Sequence, residues 1–222
     1  ARLIAMEVSD GVIAPSYSQK ALEILKTKRK GAYTVIQIDE SYRPPALEER
    51  TVYGITFAQS RNDCVITPSL LDNVVTKNKA LPKEAKRDLT VALIALKYTQ
   101  SNSVCFAMDG QTIGVGAGQQ SRIHCTRLAG SKADLWRLRH HEKVLSLPFR
   151  DDLGRPDRDN AIETYLSGES WRVTSPENWP KFFTKAPAEF TFEEQQAFLK
   201  EFDGVSMGSD AFLPFSDNVE RA

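Results

Sequence analysis

Residues 97–125 read Lys97-Tyr98-Thr99-Gln100-Ser101-Asn102-Ser103-Val104-Cys105-Phe106-Ala107-Met108-Asp109-Gly110-Gln111-Thr112-Ile113-Gly114-Val115-Gly116-Ala117-Gly118-Gln119-Gln120-Ser121-Arg122-Ile123-His124-Cys125. Two alternating runs, 103–108 and 111–115, flank Asp109-Gly110, a pair suited to the positive-φ positions of a two-residue hairpin turn. The second strand then enters three alternate glycines and a polar stretch that opens a helix, expected over about 119–128. Backbone N–H groups of such a turn can approach an anion, with the helix N-terminus adding positive potential and Arg122 adding a forked pair of donors. Glycine serves equally for close packing of a helix on a strand, so the spacing leaves both uses open. The run matches neither G-x-G-x-x-G nor G-x-x-x-x-G-K-[ST], which excludes a dinucleotide fingerprint and a P-loop.

Outward from this hairpin, helices and strands alternate. On the N-terminal side, the clearest helix is expected over 81–98, starting near Pro82 and burying Leu89, Ala92, Leu93 and Leu96. Before it come a helix end (1–8), a short buried strand (11–14), and a helix over 18–30. Ser18 caps that helix, its inward side chains are Ala21, Leu22, Ile24 and Leu25, and Gly31 stops it. Strands are expected over 33–38, 51–57 and 63–66. On the C-terminal side, helices are expected over 131–141, 159–166 and 191–202, the last opened by a Thr191/Glu194 capping box. The Pro- and Trp-rich stretch 168–190 reads as a long surface excursion. The sum is an α/β chain.

The 29 basic and 29 acidic residues cancel and are interleaved, which argues against a nucleic-acid or polybasic membrane surface. Lys28-Arg29-Lys30 reads as a solvated helix end. The three cysteines, Cys64, Cys105 and Cys125, form no C-x-x-C pair, so a cytoplasmic setting is expected and a secreted disulfide framework is not. No run approaches the ~18 apolar residues of a membrane span.

Several residues carry candidate chemistry, each with a plainer alternative. Asp10, in a Ser-Asp-Gly turn before a strand, could accept hydroxyl hydrogen bonds from a ribose or cap its own turn. Asn102, between two serines after the clearest helix, could stabilise oxyanion character on an acyl group or serve the helix C-terminus. Asp217-Asn218 offers an acceptor–donor pair suited to a pterin face, or an Asx turn. His124 could act as a base or only stiffen its surroundings. His140-His141-Glu142 mimics the H-x-E of zinc deaminases, but the P-C-x-x-C partner is absent, so zinc is not expected. Cys105 and Cys125 read as small buried thiols.

The run from Lys97 to Gly130, together with VSDGVIAPSY (8–17), VVTKNK (74–79), LRHHEKVL (138–145) and GSDAFLPFSDNVERA (208–222), resembles the AICAR transformylase family. These are the folate-dependent formyltransferases of de novo purine (IMP) synthesis. The resemblance runs over essentially the whole chain. It implies a three-layer, cytidine-deaminase-like fold and formyl transfer from 10-formyltetrahydrofolate to the 5-amino group of AICAR, giving FAICAR. It places Asp10, Asn102, Arg122 and Phe212 around the AICAR nucleotide, with Asn102 orienting the reacting groups, and Ile123, Asp217 and Asn218 toward the folate. It sets a potassium ion near Thr99, Ser101, Ser103 and Asp210, away from the reacting atoms. It also implies a cytoplasmic homodimer with active sites shared across the interface, and neither nucleic acid nor membrane as partner.

Where the chain departs from the family is equally informative. The family's catalytic Lys-His pair lies in a Phe-Lys-His-Val-Ser-Pro-Ala-Gly stretch that these residues do not contain, and a closing segment ending near Leu-Phe-His-His is likewise missing. Met108, Leu213 and Ser216 stand where other residues are usual. Residues 1–222 are therefore expected to be an internal part of the transformylase domain of a longer polypeptide, inactive when isolated. Whether that polypeptide also carries IMP cyclohydrolase stays open. The alternatives are a non-catalytic nucleotide-binding module of the same fold and a deaminase-like hydrolase, which would need zinc.

Overall fold

The computed structural model describes residues 1–6 and 8–222. Contacts divide the chain into two compact units, residues 1–64 and 65–222, and each is mixed α/β. Among the described residues no helix is long and apolar enough to cross a membrane.

The first unit opens with a short helix α1 (Arg2–Met6) and a strand β1 (Gly11–Ala14); Glu7, within the helix end expected over 1–8, lies outside the described residues. Helix α2 (Gln19–Thr27) then crosses over to β2 (Thr34–Gln37), which pairs parallel with β1 from Gly11↔Thr34 to Ala14↔Gln37. Parallel neighbours need such a crossover. Ser18 caps α2 by accepting from Ala21 N at 3.3 Å, and Leu25 is buried beneath it. The chain leaves α2 through Arg29, Lys30 and Gly31, all at positive φ.

Two expectations need correcting in this unit. The strand over 11–14 is not buried, since Ile13 is 60% exposed; an apolar run alone does not tell a buried strand from a half-covered one. The strand over 51–57 is instead a hairpin of β3 (Leu47–Val52) and β4 (Ile55–Ser60), turning at Tyr53-Gly54 with φ of 50° and 80°. Tyr-Gly lacks the Asn-Gly or Asp-Gly signature, so the alternation continues unbroken through the turn. Residues 63–66, expected as a strand, are irregular.

In the second unit, α3 (Lys83–Lys97) follows Pro82 and leads through a short loop to β5 (Ser103–Met108), which turns back at Asp109-Gly110 into β6 (Gln111–Ala117). Next comes α4 (Arg122–Leu138), one helix where two were expected. Gly130 does not break it. A helical subdomain of α5 (Glu142–Leu145), α6 (Arg155–Leu166), α7 (Trp171–Thr174) and α8 (Phe192–Lys200) follows. Strand β7 (Ser206–Ser209) and helix α9 (Asp217–Arg221) close the chain.

The three strands form an antiparallel sheet in the order β6-β5-β7. Successive side chains of β5 point to opposite faces: Val104 and Phe106 pack with Cys125, Ala129 and Ala133 of α4, whereas Cys105 and Ala107 pack with Ala92 and Leu96 of α3. The result is three layers, helix on sheet on helix. A Cβ on Gly114 would fall 2.1 Å from Ala129 O, and one on Gly116 would fall 2.1 Å from Cys125 O. These two glycines therefore serve close packing of α4 on β6, and of the three alternate glycines it is Gly118, at φ 63°, that makes the turn.

The stretch 168–190, expected as a surface excursion, instead contributes Val173, Phe183 and Phe190 to a core with Leu138, Val144, Leu147, Ala161, Tyr165 and Leu166. Its buried residues follow no single period, because Val173 sits in the one turn of α7, Phe183 on an isolated bridge to Phe149 and Phe190 on irregular backbone. The Thr191/Glu194 capping box forms as expected, with Glu194 N donating to Thr191 Oγ1 at 3.3 Å and Thr191 N to Glu194 Oε2 at 2.9 Å.

Asp88 ties α3 to the hairpin turn. Only 2% exposed, it accepts from Gly110 N at 2.7 Å and Asp109 N at 3.1 Å, and Arg87 binds both its oxygens. The Arg87 guanidinium chiefly, with help from the two N–H groups, holds its carboxyl below the usual range against the opposing effect of burial. A depressed folded-state pKa gives stability that is present above the unfolded value and lost as pH falls through the folded one. Asp88→Asn is expected to cost about 1–3 kcal/mol at neutral pH. In urea titrations the gap from the parent protein should narrow below about pH 4.

Candidate functional site

Three loops meet at one end of the sheet because β5 begins where β6 and β7 finish: Ser103 pairs with Ala117, and Val104 with Ser209. The loop from α3 brings Ser101 and Asn102, joined by a cis peptide. The turn after β6 brings Gly118 and Gln119, and the residue after β7 is Asp210. Gly118 N donates to Gln100 O at 2.9 Å and Asn102 O at 2.8 Å, stitching the first two loops together.

Asn102 is held from both sides of its amide. Arg122 Nη2 donates to Oδ1 at 3.0 Å, and Nδ2 donates to Gln119 O at 3.2 Å. A guanidinium can only donate, so the oxygen of the amide is fixed toward Arg122 and one N–H of Nδ2 is left to serve another acceptor. The buried Cys125 thiol donates to Asn102 O at 3.0 Å.

Arg122, expected to reach an anion, is here engaged by the protein. Its side chain is 10% exposed and pairs with Asp210, 17% exposed, while Nη1 also donates to Ser209 Oγ at 3.2 Å. Asp210 further accepts from Ser101 Oγ and from Ser103 N. Burial alone would raise its carboxyl; Ser101, Ser103 N–H and Arg122 together outweigh that and hold it below the usual range.

Of the residues expected around an ion, Ser101 and Ser103 contact Asp210 directly, and Thr99 does not. Thr99 Oγ1 donates to Ala95 O at 2.6 Å, and Ser103 Oγ is buried without a hydrogen-bond partner. Asp210, the one carboxylate of this set, is paired with Arg122, and the Thr99 and Ser101 hydroxyls are engaged, so of the four only the Ser103 hydroxyl is left for a cation.

The remaining expected residues are placed as follows. Ile123 is half-buried in the first turn of α4, and Phe212 is 79% exposed between β7 and α9. Asp217 is half-buried at the start of α9. Asn218 is 1% exposed, its amide bound by Thr126 Oγ1 at 2.9 Å and bonded to Asp217 Oδ1 at 2.8 Å. Asp10, in the first unit, pairs with Arg29 Nη1 at 2.6 Å on an exposed surface, where such pairs contribute little. His124 is exposed; His140 lies tilted against Trp136, and His141 caps α5 by accepting from Lys143 N. Burial pushes the Cys105 thiol up to about 11, so it is no nucleophile at neutral pH.

Gln119, Thr126 and Ser209 were not singled out from the sequence. The first acts through its backbone carbonyl, which no residue type reveals, and the other two act through contacts distant in the chain.

A layered α/β domain with a preorganised amide, a partly covered ion pair and a glycine turn gathered at the ends of its strands has the organisation of an enzyme domain that carries its site on loops. The model of the AICARFT/IMPCHase bienzyme family matches residues 1–132. The chain belongs to that family, and its role lies in purine biosynthesis. The matched stretch contains Asp10, Asn102 and Arg122; Asp210, Phe212, Asp217 and Asn218 lie beyond it.

Proposed function

We propose that this chain forms part of a formyltransferase that moves the formyl group of 10-formyltetrahydrofolate to the 5-amino group of AICAR, yielding FAICAR. The observation that carries this is Asn102, which lies within the family match and whose amide is fixed by Arg122 and Gln119 with one N–H left to donate. The amine nitrogen attacks the formyl carbon and loses a proton to a base. The tetrahedral oxyanion collapses as the bond to folate N10 breaks, and N10 takes up a proton. Asn102 would donate to the developing oxyanion or hold the acceptor amine in line, effects that depend on a donor already in place.

Arg122 would hold Asn102 and border the nucleotide with Phe212, and Ile123 and Asp217 would face the folate. A potassium ion near Thr99, Ser101, Ser103 and Asp210 rests on the family resemblance, and it would have to share Asp210 with Arg122. The same family relationship supports a cytoplasmic homodimer with shared sites. The test is turnover of AICAR and 10-formyltetrahydrofolate by the full-length protein, followed by the appearance of tetrahydrofolate. Stoichiometric FAICAR and tetrahydrofolate are expected; binding of AICAR without turnover would instead favour a non-catalytic nucleotide-binding module.

A further inference from the structure

The same face of α4 that begins at Arg122 continues through Thr126, Gly130 and Asp134, four residues apart and therefore stacked along the helix. Each meets α9. The Thr126 side chain is fully buried, and its hydroxyl lies 2.9 Å from Asn218 Oδ1. The hydroxyl also lies 3.1 Å from the carbonyl of Arg122, one turn back, whose second lone pair can accept it, so its single proton is shared between that oxygen and the nearer Asn218 oxygen. A Cβ on Gly130 would meet the Arg221 guanidinium at 3.1 Å, and Arg221 Nη2 donates to Asp134 Oδ2 at 3.2 Å. A hydroxyl, a missing side chain and a carboxylate thus receive α9 in one orientation.

The family resemblance turns Asn218 toward the folate, yet the residue is 1% exposed and both ends of its amide are taken, by Thr126 and by Asp217 Oδ1. We infer that Asn218 is a positioning residue rather than a ligand contact. With Thr126 it forms a buried strut from α4 to the Asp217 carboxylate, so that the helix that sets Arg122 also aims the folate-facing acid. The assignment of Asp217 to the folate rests on the formyl-transfer function proposed above; the strut itself does not.

Two measurements on the full-length protein separate these. Thr126→Val keeps the shape but removes the donor, and is expected to raise KM for 10-formyltetrahydrofolate about tenfold with KM for AICAR changed less than about twofold. Thr126→Ser, which restores the hydroxyl, should return both close to the parent values. Equal changes in both KM values, or none, would overturn the inference. Independently, the side-chain amide protons of Asn218, assigned by their loss in Asn218→Asp, should be protected from exchange in the parent and in Thr126→Ser and unprotected in Thr126→Val. Absence of formyl transfer in the parent would remove the folate assignment alone. An unprotected Asn218 amide in the parent would remove the strut.

Discussion

Asn102→Ala is expected to lower kcat about 10²–10³-fold, the range seen when one oxyanion donor is removed, with a much smaller change in KM for AICAR. The side chain carries a preorganised amide at the end of the sheet, beside Arg122. Its loss also strands Arg122 Nη2, now bonded at 3.0 Å. Asn102→Asp separates these effects, because a carboxylate keeps the Arg122 partner while losing both N–H donors. A kcat for Asn102→Asp as low as that for Asn102→Ala assigns the loss to the missing donor. Recovery in Asn102→Asp would assign it to the Arg122 contact. Steady-state kinetics with both substrates varied distinguish the two.

Gly116→Ala, like Gly114→Ala, should be among the most damaging small substitutions in the fold. The added carbon would fall 2.1 Å from Cys125 O and 3.0 Å from Ala129 N, both backbone atoms of α4, so no side chain can swing aside. The helix has to lift from β6, opening the packing of Val104, Phe106, Cys125 and Ala129 and drawing Cys125 away from Asn102 O. A cost above about 3 kcal/mol is expected, at the upper end for overpacking. Gly168→Ala, where nothing lies within 4 Å of the new carbon, should change stability by less than about 0.5 kcal/mol. Chemical denaturation of the two variants beside the parent checks the contrast.

Local signals in the sequence were reliable where the physics is local. Asp109-Gly110 between alternating runs placed the β5–β6 hairpin, Ser18 and the Thr191/Glu194 box placed helix starts, and the apolar spacing of 81–98 placed α3. What was not legible depends on contacts between distant residues. Gly114, Gly116 and Gly118 look alike in sequence, and only the approach of α4 separates two packing glycines from one turn glycine. Gly130 falls between the two helices expected over 119–128 and 131–141, but the helix runs through it and the guanidinium of Arg221 occupies the space its side chain would need. The Tyr53-Gly54 turn hides because no residue type announces it.

The same holds for the site. Asn102 and Arg122 stand out as residues, yet nothing in the sequence joins Arg122 to Asp210, 88 positions later. Burial of Asn218 against Thr126 is a property of how α9 docks, and resemblance alone turns that side chain the other way.

The central claim is that formyl transfer takes place at the end of the β6-β5-β7 sheet, against Asn102. A crystal structure of the full-length protein with AICAR bound tests this most directly. The acceptor amine is expected within hydrogen-bond reach of the Asn102 amide, with Arg122 beside it. AICAR bound with its amine away from Asn102, in a protein that still turns over, would contradict it.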